Sequence, residues 1–292
     1  METLKNKIDF AVILQVKKAN PNGDPLNGNR PRTDYNGFGE ISDVCIKRKI
    51  RNRLLDAGYP ILVQSDDYKT DDAKSIKDRI DKAIPAEAQK EDKKFYEESC
   101  KNWIDVRAFG QVLPFKAEKS KKKKSDDNED TGEDKGGNKG VSISIRGPVS
   151  VQSAFSIKPV LSESLQITKS VNLETSESGK KSSDTMGMKH RIDHSIYVFF
   201  GSMNPQLAEK TGFTESDAEA IKNVLPKLFE NDESSARPAG TMKVIKVIWW
   251  DHGVKSGKYS SGKVHGSLRV NEDGSYELSK LEGLEPEILA GF

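Results

Sequence analysis

Cysteine is almost absent from this sequence, with Cys45 and Cys100 as the only two among 292 residues. Two thiols without a C-x-x-C pair indicate neither a disulfide framework nor a zinc site. Long apolar runs are missing too, because the stretch Ile8–Val16 is interrupted by Asp9 and Gln15. It is too short for a signal peptide or a membrane span. We therefore expect a cytoplasmic protein with no membrane partner.

Recognisable catalytic motifs are also missing. The sequence contains no G-x-x-x-x-G-K-[ST] loop, no strand-following G-x-G-x-x-G and no serine elbow. His190 and His194 have the i, i+4 spacing of helical metal ligands, but the apolar run that follows is typical of a strand, and no Glu follows His190 as in zinc-protease helices. Asp24, Asp34 and Asp43 are the carboxylates that could support metal-assisted RNA cleavage.

Hydrophobic residues are scarce at 34%, against 32% charged residues, whereas globular averages are roughly 45–50% and about 25%. Such a chain can build a core but must carry long polar segments, so we predict one elaborated domain over residues 1–292. Residues 116–140 hold a lysine run, an acidic block and glycines, with Ala117 as their only hydrophobic residue. We expect this segment to be a disordered loop, because it has almost nothing to bury.

Hydrophobic periodicity predicts a mixed fold. The predicted elements in chain order are a strand at 10–16, a helix from the Ser42 cap to about Ala57, surface helices within a finger-like insertion at 60–104, a return strand at 104–110, two strands within 141–156, a projecting hairpin at 158–189, a strand at 194–200, a helix at 215–230 and a strand at 244–250. Without the insertions, the order is strand, helix, strand, strand, helix, strand. That order is typical of the ferredoxin-like, RNA-recognition-type α+β fold.

A polar loop and a basic helix follow the first predicted strand. Turn residues from Asn20 to Pro31 predict a loop without helix or ladder, adjacent to Arg30 and Arg32. The helix carries five cations and no acidic residue between positions 47 and 53, namely Lys47, Arg48, Lys49, Arg51 and Arg53. Guanidinium and amine groups hold phosphate oxygens without reading sequence. From the residues alone, an RNA-backbone grip and a solvated cationic face, balanced by the acidic stretch at 66–98, are equally open.

Several unusual residue combinations occur in order over most of residues 8–205. They are Asn20-Pro-Asn-Gly-Asp-Pro25, Pro31-Arg-Thr-Asp34, Ser42-Asp-Val-Cys-Ile-Lys-Arg-Lys-Ile-Arg-Asn52, Asp105-Val-Arg-Ala-Phe-Gly110, Gly147-Pro-Val149, Met186-Gly-Met-Lys-His-Arg191 and Asn204-Pro205. Together they closely resemble the Cascade backbone family of CRISPR-associated proteins (Cas-seven, Csd-two type), as found in type I-C surveillance complexes. The resemblance implies a palm with the RNA-recognition fold, inserted finger helices and a β-hairpin thumb at 158–189.

The same resemblance implies a non-enzymatic subunit without cofactor or metal. Such subunits bind CRISPR RNA, polymerise head to tail along it, and join other Cascade subunits. The guide then pairs with target DNA, so that base pairing rather than the protein reads sequence. Two other functions stay open: a metal-dependent endoribonuclease acting through Asp24 or Asp34, and a scaffold that meets protein alone.

Site residues follow from matching motif positions. The RNA backbone would be held by Asn20, Asn22, Gly23, Asp24, Arg32, Ser42, Lys47, Arg48 and Arg51. The base of the thumb would contribute Met186, Met188, Lys189 and His190. The methionines would wedge beside a displaced base, with filling of the core as the alternative. Arg107 is expected either to contact RNA or to brace the palm.

Overall fold

The computed structural model describes residues 2–115, 141–168 and 186–292. The predicted disordered loop at 116–140 and the far part of the predicted thumb lie outside the described residues. The strands are β1 (Ile8–Ala19), β2 (Gly23–Asp24), β3 (Arg30–Pro31), β4 (Phe38–Ile41), β5 (Gly110–Phe115), β6 (Val141–Arg146), β7 (Val149–Val151), β8 (Ala154–Pro159), β9 (Ser162–Thr168), β10 (Met186–Met203), β11 (Met242–Asp251), β12 (Leu268–Val270), β13 (Tyr276–Leu278) and β14 (Glu287–Ala290). The helices are α1 (Asp43–Asp56), α2 (Ile76–Ala83), α3 (Asp92–Asn102), α4 (Ile104–Phe109), α5 (Pro205–Thr211), α6 (Glu215–Val224) and α7 (Ser261–His265).

The main sheet is built around β1, which is buried along most of its length. It pairs antiparallel with β10 on one side and with β11 on the other. β14 extends the sheet beyond β11, and β7, β8 and β4 extend it beyond β10, all antiparallel. With α1 before β7 and α6 between β10 and β11, the chain follows the predicted strand, helix, strand, strand, helix, strand order. The predicted α+β fold is confirmed.

The two faces of the sheet have different covers. Phe10, Val12 and Leu14 of β1 point to one face and belong to the core that lies beneath α1 and α6. Ala11 and Ile13 point to the other face, as strand alternation requires. That second face is covered by the C-terminal segment, which contributes Val264, Tyr259, Leu268, Val270, Tyr276, Leu278, Leu281 and Leu284.

A buried polar cluster holds the C-terminal segment against β1. His252 Nε2 lies 2.9 Å from Asp9 Oδ2, and both side chains are fully buried. Because His252 Nδ1 accepts a hydrogen bond from the Lys258 backbone N–H, Nε2 carries the proton and donates to Asp9. The face on which RNA-recognition domains stack bases is therefore closed by this chain's own C-terminal part.

A second hydrophobic cluster lies beside the main core, within the predicted finger-like insertion. It includes Ile80 of α2, Phe95 of α3 and Trp103, packed with Leu113 of β5 and Ile145 of β6. Where the sequence predicts one or two surface helices packed on the sheet edge, the structure has two, α2 and α3. They pack mainly on the separate β5–β6 ladder rather than on the edge of the main sheet. The division into palm, finger and thumb stays a prediction.

Three predictions about local structure were wrong. The return strand at 104–110 is a helix, because Ile104 and Ala108, four residues apart, both point into the main core. It ends at Gly110, whose φ of 79° favours glycine. The loop from Asn20 to Pro31 contains a short ladder, with Gly23 opposite Pro31 and a 3-10 turn between the two strands. The helix predicted at 215–230 ends at Val224 and continues as a 3-10 turn that contains Pro226.

Within the described ranges, no helix combines the length and the apolar character needed to cross a membrane.

Candidate nucleic-acid interface

The loop after β1 is fastened to the first turn of α1. Ser42 is the N-cap, and its Oγ accepts a hydrogen bond from the Cys45 N–H. The backbone N–H and the hydroxyl of Ser42 both donate to Asn22 Oδ1, at 3.0 and 2.9 Å. Asn22 and Ser42, two predicted site residues, therefore form one unit that fixes the loop relative to the helix.

Within the loop, Asp24 lies opposite Arg30 in the short ladder and forms an ion pair with Arg32, the residue directly after that ladder. The carboxylate of Asp24 accepts a hydrogen bond from the Leu26 N–H and lies 3.6 Å from the guanidinium of Arg32. The Arg32 side chain is 36% exposed, so it can still reach a ligand. Gly23 leaves room for a neighbour, because a Cβ at this position would lie 2.0 Å from the side-chain oxygen of Asn29. Gly23 thus shapes the loop and offers no side chain for binding.

Asn20 is buried rather than exposed. Its Nδ2 donates to the Asn29 carbonyl at 2.8 Å, and its backbone N–H donates to the Ala236 carbonyl at 2.9 Å. Sequence reasoning predicted that Asn20 contacts RNA. Its position instead favours a role in holding the loop closed against residues near Ala236.

The cations of α1 divide into two groups. Lys49 is 1% exposed, forms an ion pair with Asp232 and lies over the ring of Phe229. Burial lowers the pKa of Lys49 and acts more strongly than the neighbouring Asp232 carboxylate, which raises it. Arg53 is also buried, with its guanidinium 2.6 Å from both Asp56 and the Tyr68 hydroxyl. Neither side chain is placed to reach RNA.

Arg51 was predicted to hold RNA and is likewise paired, although it lies on the same side of α1 as Arg48, three residues earlier. Its Nε donates to Asp105 Oδ2 at 3.0 Å, and its side chain is only 11% exposed. Asp105 is fully buried and also accepts the backbone N–H groups of Leu62 and Val63 at 2.8 and 3.1 Å. Arg51 therefore joins α1 to α4 and to the start of the inserted region. This geometry favours a bracing role over a direct RNA contact.

Lys47 and Arg48 form the second group, and both are partly exposed. Lys47 lies 3.0 Å from Asp43, one turn earlier, a pairing that solvent weakens. The Arg48 guanidinium borders a cleft of about 480 Å³ between the loop, the start of α1 and residues 63–65. The lining of the cleft is Asn22, Ser42, Val44, Cys45, Arg48, Arg51, Val63, Gln64 and Ser65.

The charged groups at this cleft are Arg48 and Arg51 in its lining and Asp67 close to Arg48. The nearby Ser65 side chain and, to a smaller extent, the Arg48 charge lower the pKa of the Asp67 carboxyl. The remaining cleft groups are mostly uncharged hydrogen-bonding side chains at the N-terminus of the 14-residue helix α1. Such a surface suits a phosphodiester chain, because a guanidinium, a helix N-terminus and neutral donors all favour phosphate oxygens.

The second predicted set of site residues lies on the ladder that β9 forms with the first part of β10. Met186 and Met188 are 60% and 55% exposed, so the alternative that they fill the core is wrong. His190 lies on the same face by alternation, with its Nδ1 2.9 Å from the Ser164 hydroxyl. Lys189 is half-buried and points to the opposite face. The thumb role of this hairpin stays a prediction.

Arg107 resolves one alternative that the sequence left open. Its Nε and Nη2 donate to the two carboxylate oxygens of Asp217 at 2.9 and 2.8 Å. Asp217 is buried and also completes the capping box of α6 with Thr214. This two-fold contact joins α4 to α6 and favours bracing of the palm.

The carboxylates considered for metal-assisted cleavage are occupied in local structure. Asp34 Oδ1 accepts the backbone N–H groups of Asn36 and Phe38, while Asp24 and Asp43 face Arg32 and Lys47. In residues 2–115, 141–168 and 186–292, no three His, Cys, Asp or Glu side chains form a group that could hold a metal ion.

Sequence reasoning missed the acidic partners of three cations. Asp105, Asp217 and Asp232 lie 54, 110 and 183 residues from Arg51, Arg107 and Lys49, respectively. Local charge patterning carries no signal for pairs so distant. The cleft residues Gln64 and Ser65 were missed for the same reason, since they come from the inserted region.

Comparison with known proteins gives consistent matches. The family described as CRISPR-associated protein Cas7 matches residues 6–285. A CRISPR-associated protein Cas7 of Haloferax volcanii is 25% identical over 290 residues, which cover 98% of this chain and 82% of the relative. Among solved structures, the chain aligns with a chain of a CRISPR RNA-guided surveillance complex in a pre-nicking state, at TM-score 0.49 and 15% identity over 84% of this chain and 75% of the other. A chain of a second CRISPR RNA-guided surveillance complex aligns at TM-score 0.43 and 17% identity, over 84% and 68%.

Proposed function

The chain belongs to the Cas7 family of CRISPR-associated proteins, and we propose that it is an RNA-binding backbone subunit of a type I-C Cascade complex. Each copy holds one segment of CRISPR RNA, and successive copies extend head to tail along the strand. The held guide pairs with target DNA while other Cascade subunits complete the assembly. The subunit acts in the cytoplasm and performs no catalysis itself.

The observation that carries this proposal is the Arg48 cleft at the start of α1. It combines a partly exposed guanidinium with the N-terminus of a long helix and uncharged hydrogen-bonding groups. These groups bind the backbone, which is the same at every nucleotide, and leave base edges free. A subunit that repeats along any guide needs this kind of contact.

The covered face of the sheet supports the same mode of binding. With Ile13, Ile196 and Trp250 buried under the C-terminal segment, bases cannot stack on the sheet as they do in RNA-recognition domains. Contact with RNA then falls to the loop after β1 and to the outer side of α1. The sequence contained a hint of this arrangement, because it lacks the aromatic signature of the stacking platform.

We assign different roles to the proposed site residues, on the basis of their exposure and pairing. Arg48, Lys47 and Arg32 are the cations that remain free enough to contact phosphates. Asn22, Gly23, Asp24 and Ser42 shape the loop and the helix start that present them. Asn20 and Arg51 act indirectly: Asn20 holds the loop in place, and Arg51 holds α1 in place.

The hairpin supplies the second proposed contact. Met186 and Met188 are flexible apolar side chains that remain exposed on one face of the ladder, where they can wedge beside a displaced base. His190 lies on the same face as the methionines and Lys189 on the opposite face, and both side chains can contact the adjoining RNA backbone. In the filament, the hairpin of one copy covers RNA held by its neighbour.

Co-expression of the chain with a CRISPR array tests the proposal. We expect large particles whose absorbance ratio reports bound nucleic acid and whose RNA is the array transcript. A protein that purifies free of RNA, while still forming oligomers, would support the scaffold alternative. Metal-dependent cleavage of the RNA, abolished by Asp24→Ala, would support the nuclease alternative.

A further inference from the structure

Strand β10 takes part in two ladders, one with β1 and one with β9. Between Ile192 and Met203 it pairs with β1 in the main sheet, and between Met186 and Ile192 it pairs with β9 in the hairpin. The two ladders meet at Ile192, which lies opposite Ala19 on one side and Ser162 on the other. The β9–β10 ladder therefore adjoins the β1–β10 ladder at this residue, within one sheet.

The backbone of β1 changes conformation at the junction. Lys18 has a φ of 54°, a left-handed conformation that costs free energy in a residue with a side chain. Val16 and Ala19 both pack in the core beneath the helices, although regular alternation would place them on opposite faces. The left-handed residue reverses the alternation, and it lies between the register pairs Lys17–His194 and Ala19–Ile192.

A cluster of ion pairs surrounds this residue. The Lys18 ammonium contacts the carboxylate of Asp193 and lies 3.7 Å from that of Glu163. Glu163 in turn accepts a hydrogen bond from Arg191 Nε at 3.0 Å. The four side chains, Lys18, Glu163, Arg191 and Asp193, come from β1, β9 and β10, and we refer to them as the hinge cluster. All four are at least partly exposed to solvent.

We propose that the hinge cluster, built on the left-handed backbone of Lys18, fixes the angle between the hairpin and the main sheet. Lys18 is a positioning residue: it ties β1 to both strands of the hairpin at the point where the β9–β10 ladder begins. If the hairpin grips RNA, which rests on the proposed function, the cluster also sets where that grip falls. Exposed ion pairs are screened by salt, so the hairpin angle responds to ionic strength.

The test measures the hairpin angle in the free protein, without RNA. Spin labels at Ile167→Cys on the hairpin and Lys243→Cys on β11 report their separation, in a background carrying Cys45→Ser and Cys100→Ala. We expect a narrow distance distribution at low salt. Lys18→Ala should lose that narrow distribution, and the charge exchange of Lys18→Asp with Asp193→Lys should restore much of it.

Two controls make the result specific. Lys17→Ala removes an exposed lysine one residue earlier and should leave the distribution narrow. Raising the salt from about 0.01 M to about 1 M shortens the screening length from roughly 30 Å to roughly 3 Å. It should broaden the wild-type distribution and leave that of Lys18→Ala nearly unchanged.

The outcomes separate this inference from the proposed function. If Lys18→Ala and the wild type give the same distribution at low salt, the hinge cluster does not set the angle, whatever the protein does with RNA. If the distributions differ but the wild type binds no RNA, the hinge stands and the proposed function fails. If the hinge cluster sets the angle and the wild type binds RNA, a guide RNA bound to Lys18→Ala should lose hairpin-dependent protection from nuclease digestion. Unchanged protection would overturn the link between the hairpin angle and RNA binding.

Discussion

Replacing Arg51 with alanine should unfold the protein more easily, rather than merely weaken its grip on RNA. The substitution removes the guanidinium that pairs with Asp105 and leaves that carboxylate fully buried. Loss of one partner of a buried ion pair typically costs about 3–5 kcal/mol. Asp105 keeps its hydrogen bonds from the Leu62 and Val63 N–H groups, so we expect the low end, about 3 kcal/mol.

The assay compares urea denaturation midpoints and thermal midpoints. In a chain of roughly this size, a change of 1 kcal/mol shifts Tm by about 2–4 °C, so Arg51→Ala should lower it by about 6–12 °C. The matched control is Arg48→Ala, about one turn earlier on the same side of α1, which leaves the Arg51–Asp105 ion pair intact and should change the free energy of unfolding by no more than about 1 kcal/mol. Equal midpoints for the two variants would refute the different roles assigned to Arg48 and Arg51.

Three further predictions concern pH, the hairpin and the polar insertion. Burial raises the pKa of Asp9, yet its polar neighbours His265, Ser261 and His252 together bring that pKa down to about 2. Because this folded-state pKa lies below the unfolded value of about 3.9, Asp9 stabilises the fold above about pH 4 and loses that effect as the pH falls toward 2. Asp9→Asn should therefore flatten the curve of urea midpoint against pH in this range. Parallel curves for the variant and the wild type would contradict the assignment. The double variant Met186→Ser, Met188→Ser should leave the thermal midpoint almost unchanged, because both side chains are exposed. It should alter the periodic nuclease protection of bound guide RNA. An unchanged protection pattern would argue against insertion of the methionines beside a displaced base. Deleting residues 120–139, which contain no large apolar side chain, should leave RNA-laden particles intact by size-exclusion chromatography, and a loss of particles would show that the segment takes part in assembly.

The sheet and its two covering helices could be predicted because their signals are local. The buried run in β1 is apolar throughout, as a central strand must be, and Ser42 marks the start of α1 by its capping geometry. The segment Ile104–Phe109 was different. The alternation of its apolar residues fits a strand, and their four-residue spacing fits a helix. The helix is selected because the segment packs between two hydrophobic clusters, one on either side. Tertiary packing overrode an ambiguous local pattern.

The candidate site was predictable in place but not in detail. The position of the basic helix directly after a polar loop was correctly located by motif and composition. The sequence could not predict which of these cations are available to a ligand, because Lys49 and Arg51 are neutralised by Asp232 and Asp105 from distant parts of the chain. A charge count within one helix treats all of its cations alike, whereas the fold buries some of them. The three-dimensional arrangement places both Arg48 and Arg51 on the cleft, but it pairs Arg51 with Asp105 and leaves Arg48 available.

Salt-dependent RNA affinity of the Arg48→Ala, Lys47→Ala double variant tests the central claim most directly. Fluorescence anisotropy with a guide-length RNA, at a series of salt concentrations, gives the slope of log affinity against log salt. Each lost phosphate contact should reduce the slope by about 0.7 for single-stranded RNA, so the double variant should bind more weakly with a slope smaller by roughly 1–1.5. The matched control Arg269→Ala, an exposed cation on β12, should keep the wild-type slope. A double variant with the affinity and slope of the wild type would contradict the claim that this cleft grips RNA.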